Sequence, residues 1–197
     1  MTAARSHFYA YISKLRWLQR WGLKRNVIHE NVMEHSWEVA TIAHGLAVIS
    51  KRVFHEDIDV NAVVVAALYH DCNEVITGDM PSPIKYHSPE ITRAYKSIEH
   101  QADRELLALL PDELQDDFRS MLIEDELPET QMRLIKAADT IAAFLKCEAE
   151  VQAGNQEFSQ ARHDVKHRLE QLDLPAVGYF LETFVPSYRL TLDELLR

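Results

Sequence analysis

Apolar residues recur at intervals of three and four along most of the chain, which is the spacing of a helix with one buried face. Asp59 and Ser88 are typical N-cap residues, and Pro89 suits a first helical position. With five glycines, the chain has little of the turn chemistry that a sheet protein needs. The pattern predicts an all-α fold, with helices over about residues 7–21, 31–49, 60–75, 89–110, 111–123, 128–153 and 156–172.

Breaks in the pattern separate these helices without dividing the chain. Residues 77–83 contain one glycine and two prolines, and the acidic residues 124–126 precede another helix. Pro175 and Pro186 divide the tail. Five tail residues are available for packing, the aromatic ones in the core or at a subunit interface: Tyr179, Phe180, Phe184, Leu192 and Leu195. Since there is neither an internal repeat nor a linker, we expect a single domain over residues 1–197, with the C-terminal helices packed on it.

Ionisable residues interrupt three of the apolar stripes. His35 and Asp139 each fall on the inward face of a helix, and the doublet His70-Asp71 ends an apolar segment. Such groups are costly to bury unless they are paired or bound to a metal. A single buried histidine is more often a hydrogen-bonded core residue, and Asp139 alone is also explained by a salt bridge. The adjacent residues His70 and Asp71 share one wall of a site only when both side chains turn toward the interior. The occurrence of all four ionisable residues at inward positions therefore favours a metal site.

Two imidazoles and two carboxylates suit Mn²⁺, Co²⁺, Fe²⁺, Ni²⁺ or Zn²⁺ better than Mg²⁺. The two carboxylates also balance the charge of a divalent ion. On a six-coordinate ion, four protein ligands leave positions for a water and for a phosphoryl oxygen. The residue types therefore predict a metal site that can act on a phosphate ester.

The net charge of −10 argues against binding of a nucleic-acid polymer, and it means that an anionic substrate needs a local source of positive charge. One basic cluster near the N-terminus supplies it: Lys14, Arg16, Arg20, Lys24 and Arg25. Lys14 and Arg16 are expected on a solvated helix face. Arg20 differs because it adjoins Trp21 at a helix end, so Arg20 is the candidate anion-binding residue.

Composition also bears on location. The apolar fraction of 47% and the charged fraction of 26% are ordinary for a globular protein. No apolar run approaches the ~20 residues that span a bilayer. Residues 1–7 lack the apolar segment of a signal peptide, and the two cysteines give no disulfide framework. We therefore expect a cytoplasmic protein without a membrane partner.

The order His35, His70-Asp71 and Asp139 resembles the H…HD…D signature of the HD-domain metal-dependent phosphohydrolases. Longer stretches resemble the bacterial 5'-deoxynucleotidases of this superfamily: residues 20–21, 31–36, 69–71, 74–75, 77–85 and 136–139. The similarity continues to residues 184–187 and so covers nearly the whole chain.

The resemblance implies an HD-domain helical bundle, a homodimer, and hydrolysis of deoxyribonucleoside 5'-monophosphates with Co²⁺, Mn²⁺ or another transition metal. It implies metal ligation by His35, His70, Asp71 and Asp139. Glu74 would position or deprotonate the attacking water, and its spacing after Asp71 independently places it on the same helix face. Nucleotide binding would involve Arg20 on the phosphate, Trp21 on the sugar, and Asp71, Asp79, Met80, Pro81, Ser82 and Asp139.

Two alternatives remain open at this level. Other HD phosphohydrolases act on nucleoside triphosphates, ppGpp or cyclic dinucleotides, although the chain lacks a Gly-Tyr-Pro element after the doublet. A helical scaffold with a purely structural metal is the alternative from another class. Closed coordination would favour the scaffold, and an open ligand position facing a cleft would favour catalysis.

Overall fold

The long helix that carries His35 lies at the centre of the fold. The computed structural model describes residues 5–123 and 126–197, and these ranges contain helices but no strand, as predicted. The α-helices are α1 (Phe8–Ile12), α2 (Val32–Arg52), α3 (Val60–Tyr69), α4 (Glu74–Thr77), α5 (Ser82–Lys85), α6 (Pro89–Ala108), α7 (Asp112–Leu122), α8 (Glu129–Gln152), α9 (Ser159–Glu170), α10 (Pro175–Thr183) and α11 (Leu192–Leu195). Shorter 3-10 helices cover Ser13–Trp17, Gln156–Phe158 and Val185–Arg189.

Two parts of the sequence-based predictions lie outside the described residues. Residues 1–4 belong to the stretch expected to lack a signal peptide, and residues 124 and 125 belong to the acidic break before α8. Among the described helices, none combines the length and the apolar character needed to cross a bilayer.

Helix α2 begins where its sequence predicts. The Asn31 side chain accepts a hydrogen bond from the Glu34 N–H at 3.0 Å, and the Glu34 side chain reaches back to the Asn31 N–H, which is a capping box. Helices α3, α8 and α10 pack around α2 and bury its apolar face. His35 lies on this face and is buried with it, as the apolar stripe predicts.

Two hydrophobic clusters meet at the His35 turn of α2. Val39 belongs to the larger cluster, which α3, α8 and α10 complete. Val32 belongs to the smaller cluster, in which Phe8 packs edge-on against Phe118 at 5.5 Å between ring centroids. Burying a side chain of this size contributes roughly 1.5–3 kcal/mol. The two clusters therefore fix His35 from both directions along the helix.

Two predicted helices are shorter than expected. The predicted helix over residues 7–21 ends as an α-helix at Ile12, and Leu18 is already extended, which allows an isolated bridge between Gln19 and Asn31. The helix predicted from residue 60 to 75 ends at Tyr69, after which hydrogen bonds between residues three apart tighten the chain until α4 begins. Tertiary pairing with Asn31 accompanies the first difference and a tight local turn the second, and apolar periodicity reports neither.

The tail packs less than its composition suggests. Phe180 is buried against α2, where an added Cβ on Gly45 would come within 3.2 Å of the Phe180 ring. The expected packing of Tyr179, Phe184, Leu192 and Leu195 is wrong for the single chain, because all four side chains are exposed.

Candidate metal centre and anion site

His70 is oriented by the carbonyl group of the helix that it follows. Its Nδ1 lies 2.9 Å from the Ala67 carbonyl oxygen. Because a carbonyl oxygen can only accept, this contact assigns the proton to Nδ1 and leaves a lone pair on Nε2. Nε2 points toward the Asp71 carboxylate, 3.1 Å away. In its neutral form, a ring held this way presents a metal-competent nitrogen to the interior.

The four side chains predicted as metal ligands lie together. One possible ligand atom each from His35, His70 and Asp71 lies within 4.8 Å of the others. Among the described residues, no other group of three or more acids, histidines and cysteines brings its ligand atoms this close together. Asp139 Oδ1 lies 3.1 Å from His35 Nε2. Three helical regions thus supply one convergent set: α2, the turn after α3, and α8.

The unsatisfied atoms of this set fit a divalent cation. His35 Nε2, His70 Nε2 and Glu74 Oε2 are buried and have no hydrogen-bond partner in the described parts of the chain. The imidazole nitrogens lie close to carboxylate oxygens, but the angles are not those of hydrogen bonds. Buried polar atoms without partners are costly, and an ion between them would satisfy them together. The Asp139 side chain is 44% exposed, so one side of the set faces solvent.

Glu30 also lies in the site, although no sequence pattern predicts its presence there. Its Oε2 accepts a hydrogen bond from Trp21 Nε1 at 2.8 Å and lies 3.6 Å from Arg20 Nε. Its Oε1 lies 3.5 Å from His35 Nδ1. The signal available in the sequence was its place directly before the N-cap Asn31, but no periodic pattern distinguishes it from an ordinary loop carboxylate.

Arg20 is the member of the predicted basic cluster that reaches the site. Its Nη1 donates to Asp71 Oδ2 at 3.3 Å. Lys14 and Arg16 are exposed, as predicted, and Lys24 donates to the Glu157 carbonyl oxygen at 2.9 Å. Burial tends to lower the pKa of Arg20, but the surrounding carboxylates, with Asp71 foremost, raise it overall, so the guanidinium remains charged.

Trp21 adopts a backbone conformation that a tryptophan rarely takes. Its φ of 60° lies in the left-handed region, which costs about 1–3 kcal/mol for such a residue. Hydrogen bonds from Lys24 N and Asn26 Nδ2 hold its carbonyl oxygen, and its ring packs on Phe158 at 5.3 Å between centroids. The Trp21 backbone N–H lies near the Asp79 carboxyl group and tends to lower its pKa. The strained residue is therefore fixed from several sides beside Arg20.

Glu74 and Asp79 bring further acidic groups toward Arg20. Burial, together with the charges of Asp71 and Asp79, raises the pKa of Glu74 to about 9. Burial also raises the pKa of Asp79, although the charge of Arg20 opposes that shift. A carboxyl group in this environment can hold or accept a proton near neutral pH.

The pKa values of two predicted ligands, His35 and Asp71, are shifted in opposite directions. Burial lowers the pKa of His35, but the nearby carboxylates of Asp139 and Glu30 outweigh it and raise the value to about 9. Burial raises the pKa of Asp71, yet His70, His35 and Arg20 together hold it well below its ordinary value. A bound cation would add its own charge and favour a neutral imidazole at His35.

A cavity of about 540 Å³ opens onto His70, Asp71 and Asp139, which is within the size range of small-ligand pockets. Lys85, Lys96 and Lys136 contribute to its wall. Arg20, Trp21, Glu74 and residues 79–82 are not among the described residues that line it. Pro81 and Ser82 instead lead into α5, and the pocket role of Met80, Pro81 and Ser82 stays a prediction.

The all-helical fold and the convergence of His35, His70-Asp71 and Asp139 define the class of HD-domain phosphohydrolases. An HD-domain phosphohydrolase of Listeria innocua shares this fold, with a TM-score of 0.81 and 22% identity over 92% of this chain and 88% of that one. An HD phosphohydrolase of cyanophage S-2L, solved with dA and one catalytic Zn²⁺ ion, aligns with a TM-score of 0.66 and 21% identity over 97% and 100% of the two chains.

Within that class, the chain belongs to the family described as 5'-deoxynucleotidase YfbR-like, whose family model matches residues 7–188. A 5'-deoxynucleotidase of Vibrio vulnificus (strain YJ016) is 46% identical over 190 residues, which is 96% of this chain and 98% of that protein. The predicted family and the predicted fold class are both confirmed.

Proposed function

We propose that this protein hydrolyses deoxyribonucleoside 5'-monophosphates to a deoxynucleoside and phosphate, with the help of a divalent metal ion. The observation that carries the proposal is the guanidinium of Arg20, 3.3 Å from Asp71 within the convergent acid and histidine set. A fixed cation beside a metal-competent set suits a phosphate dianion. The relative from Vibrio vulnificus, named a 5'-deoxynucleotidase, supports this substrate class.

In this proposal His35, His70, Asp71 and Asp139 hold the ion. When bound, such an ion lowers the pKa of a water molecule and neutralises charge on the phosphoryl oxygens. The imidazoles favour a transition metal such as Co²⁺, Mn²⁺ or Zn²⁺. The cyanophage phosphohydrolase with its Zn²⁺ ion supports a metal of this kind.

The chain's own groups supply the remaining steps. Asp71 and Glu30 hold the Arg20 guanidinium from two sides. Arg20 therefore binds the phosphate in a fixed orientation that suits in-line attack. Glu74 lies close enough to Asp71 to feel its charge, and in this proposal its carboxylate accepts a proton from the attacking water. The charge of a bound cation would favour the carboxylate form that this role needs. The water oxygen forms a new bond to phosphorus as the phosphorus–O5' bond breaks, and O5' takes up a proton from solvent and leaves as the deoxynucleoside hydroxyl.

The sugar and base contacts follow from the same neighbourhood. Trp21 walls the sugar and leaves no room for a 2'-hydroxyl, and its hydrogen bond to Glu30 keeps the ring in place. Asp71, Asp79 and Asp139, together with Met80, Pro81 and Ser82, complete the nucleotide pocket. The nearness of the Trp21 N–H to the Asp79 carboxyl group supports a connection between the two parts of that pocket.

We also propose that the chain works as a single-domain homodimer in the cytoplasm, without a nucleic-acid polymer or a membrane as partner. Exposed apolar side chains of the tail support a subunit interface. The acidic composition supports the absence of a polymer partner, and the two free cysteines support a reducing compartment. Detection of the native protein only outside the cytoplasm in a cell fractionation would contradict the location.

The test is phosphate release from panels of deoxyribonucleoside monophosphates, ribonucleoside monophosphates and deoxyribonucleoside triphosphates, in separate Mn²⁺, Co²⁺, Zn²⁺ and Mg²⁺ buffers. We expect release from the deoxyribonucleoside monophosphates with transition metals and none after chelation. Arg20→Ala should lose turnover while it retains the metal. Activity on triphosphates alone would overturn the substrate class, and full activity after chelation would overturn the metal mechanism.

A further inference from the structure

We infer that Glu30 is a positioning residue that ties the metal-facing imidazole of His35 to the phosphate and sugar contacts at Arg20 and Trp21. The inference rests on the proposed function and deepens it. Glu30 lies outside the predicted ligand set, yet its two oxygens face three of the groups that the mechanism uses. The side chain itself is only 11% exposed, so water competes weakly for these contacts.

The contacts divide between the two oxygens. Oε1 lies 3.5 Å from His35 Nδ1, on the side of the ring opposite the metal-facing Nε2. At this distance the contact is not a formed hydrogen bond, and Nδ1 is buried with no hydrogen-bond partner in the described parts of the chain, so Oε1 is the acceptor that Nδ1 faces. A carboxylate in this place favours a proton on Nδ1 and an Nε2 lone pair directed at an ion, and loss of such a partner typically lowers metal affinity about 10–100-fold. Oε2 accepts from Trp21 Nε1 at 2.8 Å and faces Arg20 Nε at 3.6 Å.

Backbone geometry keeps Glu30 in register with these partners. The Arg20 N–H donates to the Glu30 carbonyl oxygen at 3.0 Å, and the Val32 N–H donates to the Leu18 carbonyl oxygen at 3.0 Å. The segment before Trp21 is therefore paired with the segment that enters α2. Any movement of Glu30 is transmitted to both the His35 helix and the strained Trp21.

A neutral isostere cannot replace this carboxylate. In Glu30→Gln, one carboxylate oxygen is replaced by an amide NH₂, which can only donate. This NH₂ group faces another donor, either the Trp21 indole N–H or the His35 Nδ1–H. At least one of the two contacts must therefore break. The charge that faces Arg20 is lost as well. Because all three partners belong to the site, the loss should appear in metal binding and in the Trp21 environment together.

The experiment compares wild type with Glu30→Gln and, as a matched control, with Glu34→Gln. Glu34 is an exposed carboxylate in the same region, and glutamine also completes a capping box. Two readouts are taken without nucleotide: calorimetric titration of chelator-treated protein with Zn²⁺, and the Trp21 indole resonance in a ¹H–¹⁵N spectrum, assigned with Trp21→Phe. Glu30→Gln should bind Zn²⁺ about 10–100-fold more weakly and shift the indole resonance.

A third readout is the ratio of kcat/KM for deoxyribo- and ribonucleoside monophosphates, which should fall in Glu30→Gln and stay unchanged in Glu34→Gln. If Glu30→Gln does not fold, Glu30→Asp decides by the same criteria, because its shorter side chain cannot span both contacts. Wild-type Zn²⁺ affinity in Glu30→Gln overturns the inference, with or without a shift of the indole resonance. Failure of wild type to bind Zn²⁺ or to release phosphate would instead contradict the proposed function.

Discussion

His35 shows how one buried side chain couples proton binding to folding. The carboxylates of Asp139 and Glu30 overcome the effect of burial and raise its pKa to about 9, from an ordinary value of about 6.5. Burial and the charges of Asp71 and Asp79 raise the pKa of Glu74 to about 9 as well. In both cases the folded state holds a proton that the unfolded chain releases at lower pH.

The metal-free protein should therefore lose stability as pH rises. The His35 contribution is fully present below about pH 6.5 and is lost as pH rises through about 9, and Glu74 acts in the same direction from about pH 4.5 upward. Thermal unfolding in a chelating buffer should show Tm falling between pH 6.5 and 9. His163→Gln, a change at an exposed histidine, should keep the wild-type slope, and His35→Asn should flatten it. A rising Tm over this range would contradict the assignment.

The four residues proposed as ligands could be picked out from sequence because each one interrupts a periodic apolar pattern. His35 and Asp139 sit on helix faces that otherwise bury apolar groups, and His70-Asp71 ends such a face. Glu30 could not be predicted in this way, because a loop carboxylate breaks no pattern. Its role depends on contacts with Trp21 and His35 that only the folded chain creates.

At the scale of elements, residues 20–31 form an irregular segment that is anchored to the end of α8. The buried Glu150 carboxylate accepts hydrogen bonds from the Val27 and Ile28 N–H groups at 3.0 Å each and from Asn155 Nδ2 at 2.8 Å. Lys146 pairs with the same carboxylate and donates to the Ile28 carbonyl oxygen. Although burial acts against it, these hydrogen bonds lower the pKa of Glu150 to about 2.

Glu150→Ala should destabilise the fold and loosen the anchored segment. Removing one partner of a buried ion pair costs about 3–5 kcal/mol, because the other charge is left behind. Glu148→Ala, on the same helix, should cost about 1 kcal/mol or less, since its arginine partners are largely exposed. Denaturant unfolding measures both changes, and hydrogen exchange of residues 20–31 should accelerate only in Glu150→Ala. Equal unfolding free energies for the two variants would contradict the anchor.

Helix starts were predictable where a cap residue is coded locally, as at Asn31, Asp59 and Ser88, whose side chains each accept a backbone N–H in the structure. Helix ends near the site were not. The chain leaves α3 at Tyr69 although the apolar pattern continues, because residues 70–73 turn tightly before α4 begins. The favourable pairing of the turn with the rest of the fold outweighs the local helical preference.

At the scale of the whole molecule, the tail exposes apolar side chains that the chain itself does not cover. Seven of them between residues 179 and 196 are each at least 40% exposed: Tyr179, Phe184, Tyr188, Leu190, Leu192, Leu195 and Leu196. An apolar pattern shows which face avoids water, but it does not say whether that face meets its own core or a second copy. The sequence therefore predicted packing in the wrong place for part of this tail.

The proposed homodimer gives this surface a partner. Light scattering should return twice the chain mass of 22.8 kDa, and a variant with both Leu192→Asp and Leu195→Asp should return the single-chain mass. Lys166→Asp, at an exposed position on α9, serves as the control and should leave the wild-type mass unchanged. A single-chain mass for wild type at all concentrations would rule out the dimer.

The proposed metal centre requires that groups from three helical regions hold one ion. Titration of chelator-treated protein with Zn²⁺ or Mn²⁺ tests this directly, with Asp71→Asn as the disrupted variant and Asp59→Asn as the control, since asparagine is an equally good N-cap. Wild type and Asp59→Asn should bind one ion per chain, more tightly at pH 8 than at pH 6.5 because His35 must lose a proton, and Asp71→Asn should lose this binding. Wild-type affinity in Asp71→Asn, or no binding in wild type, would contradict the metal centre.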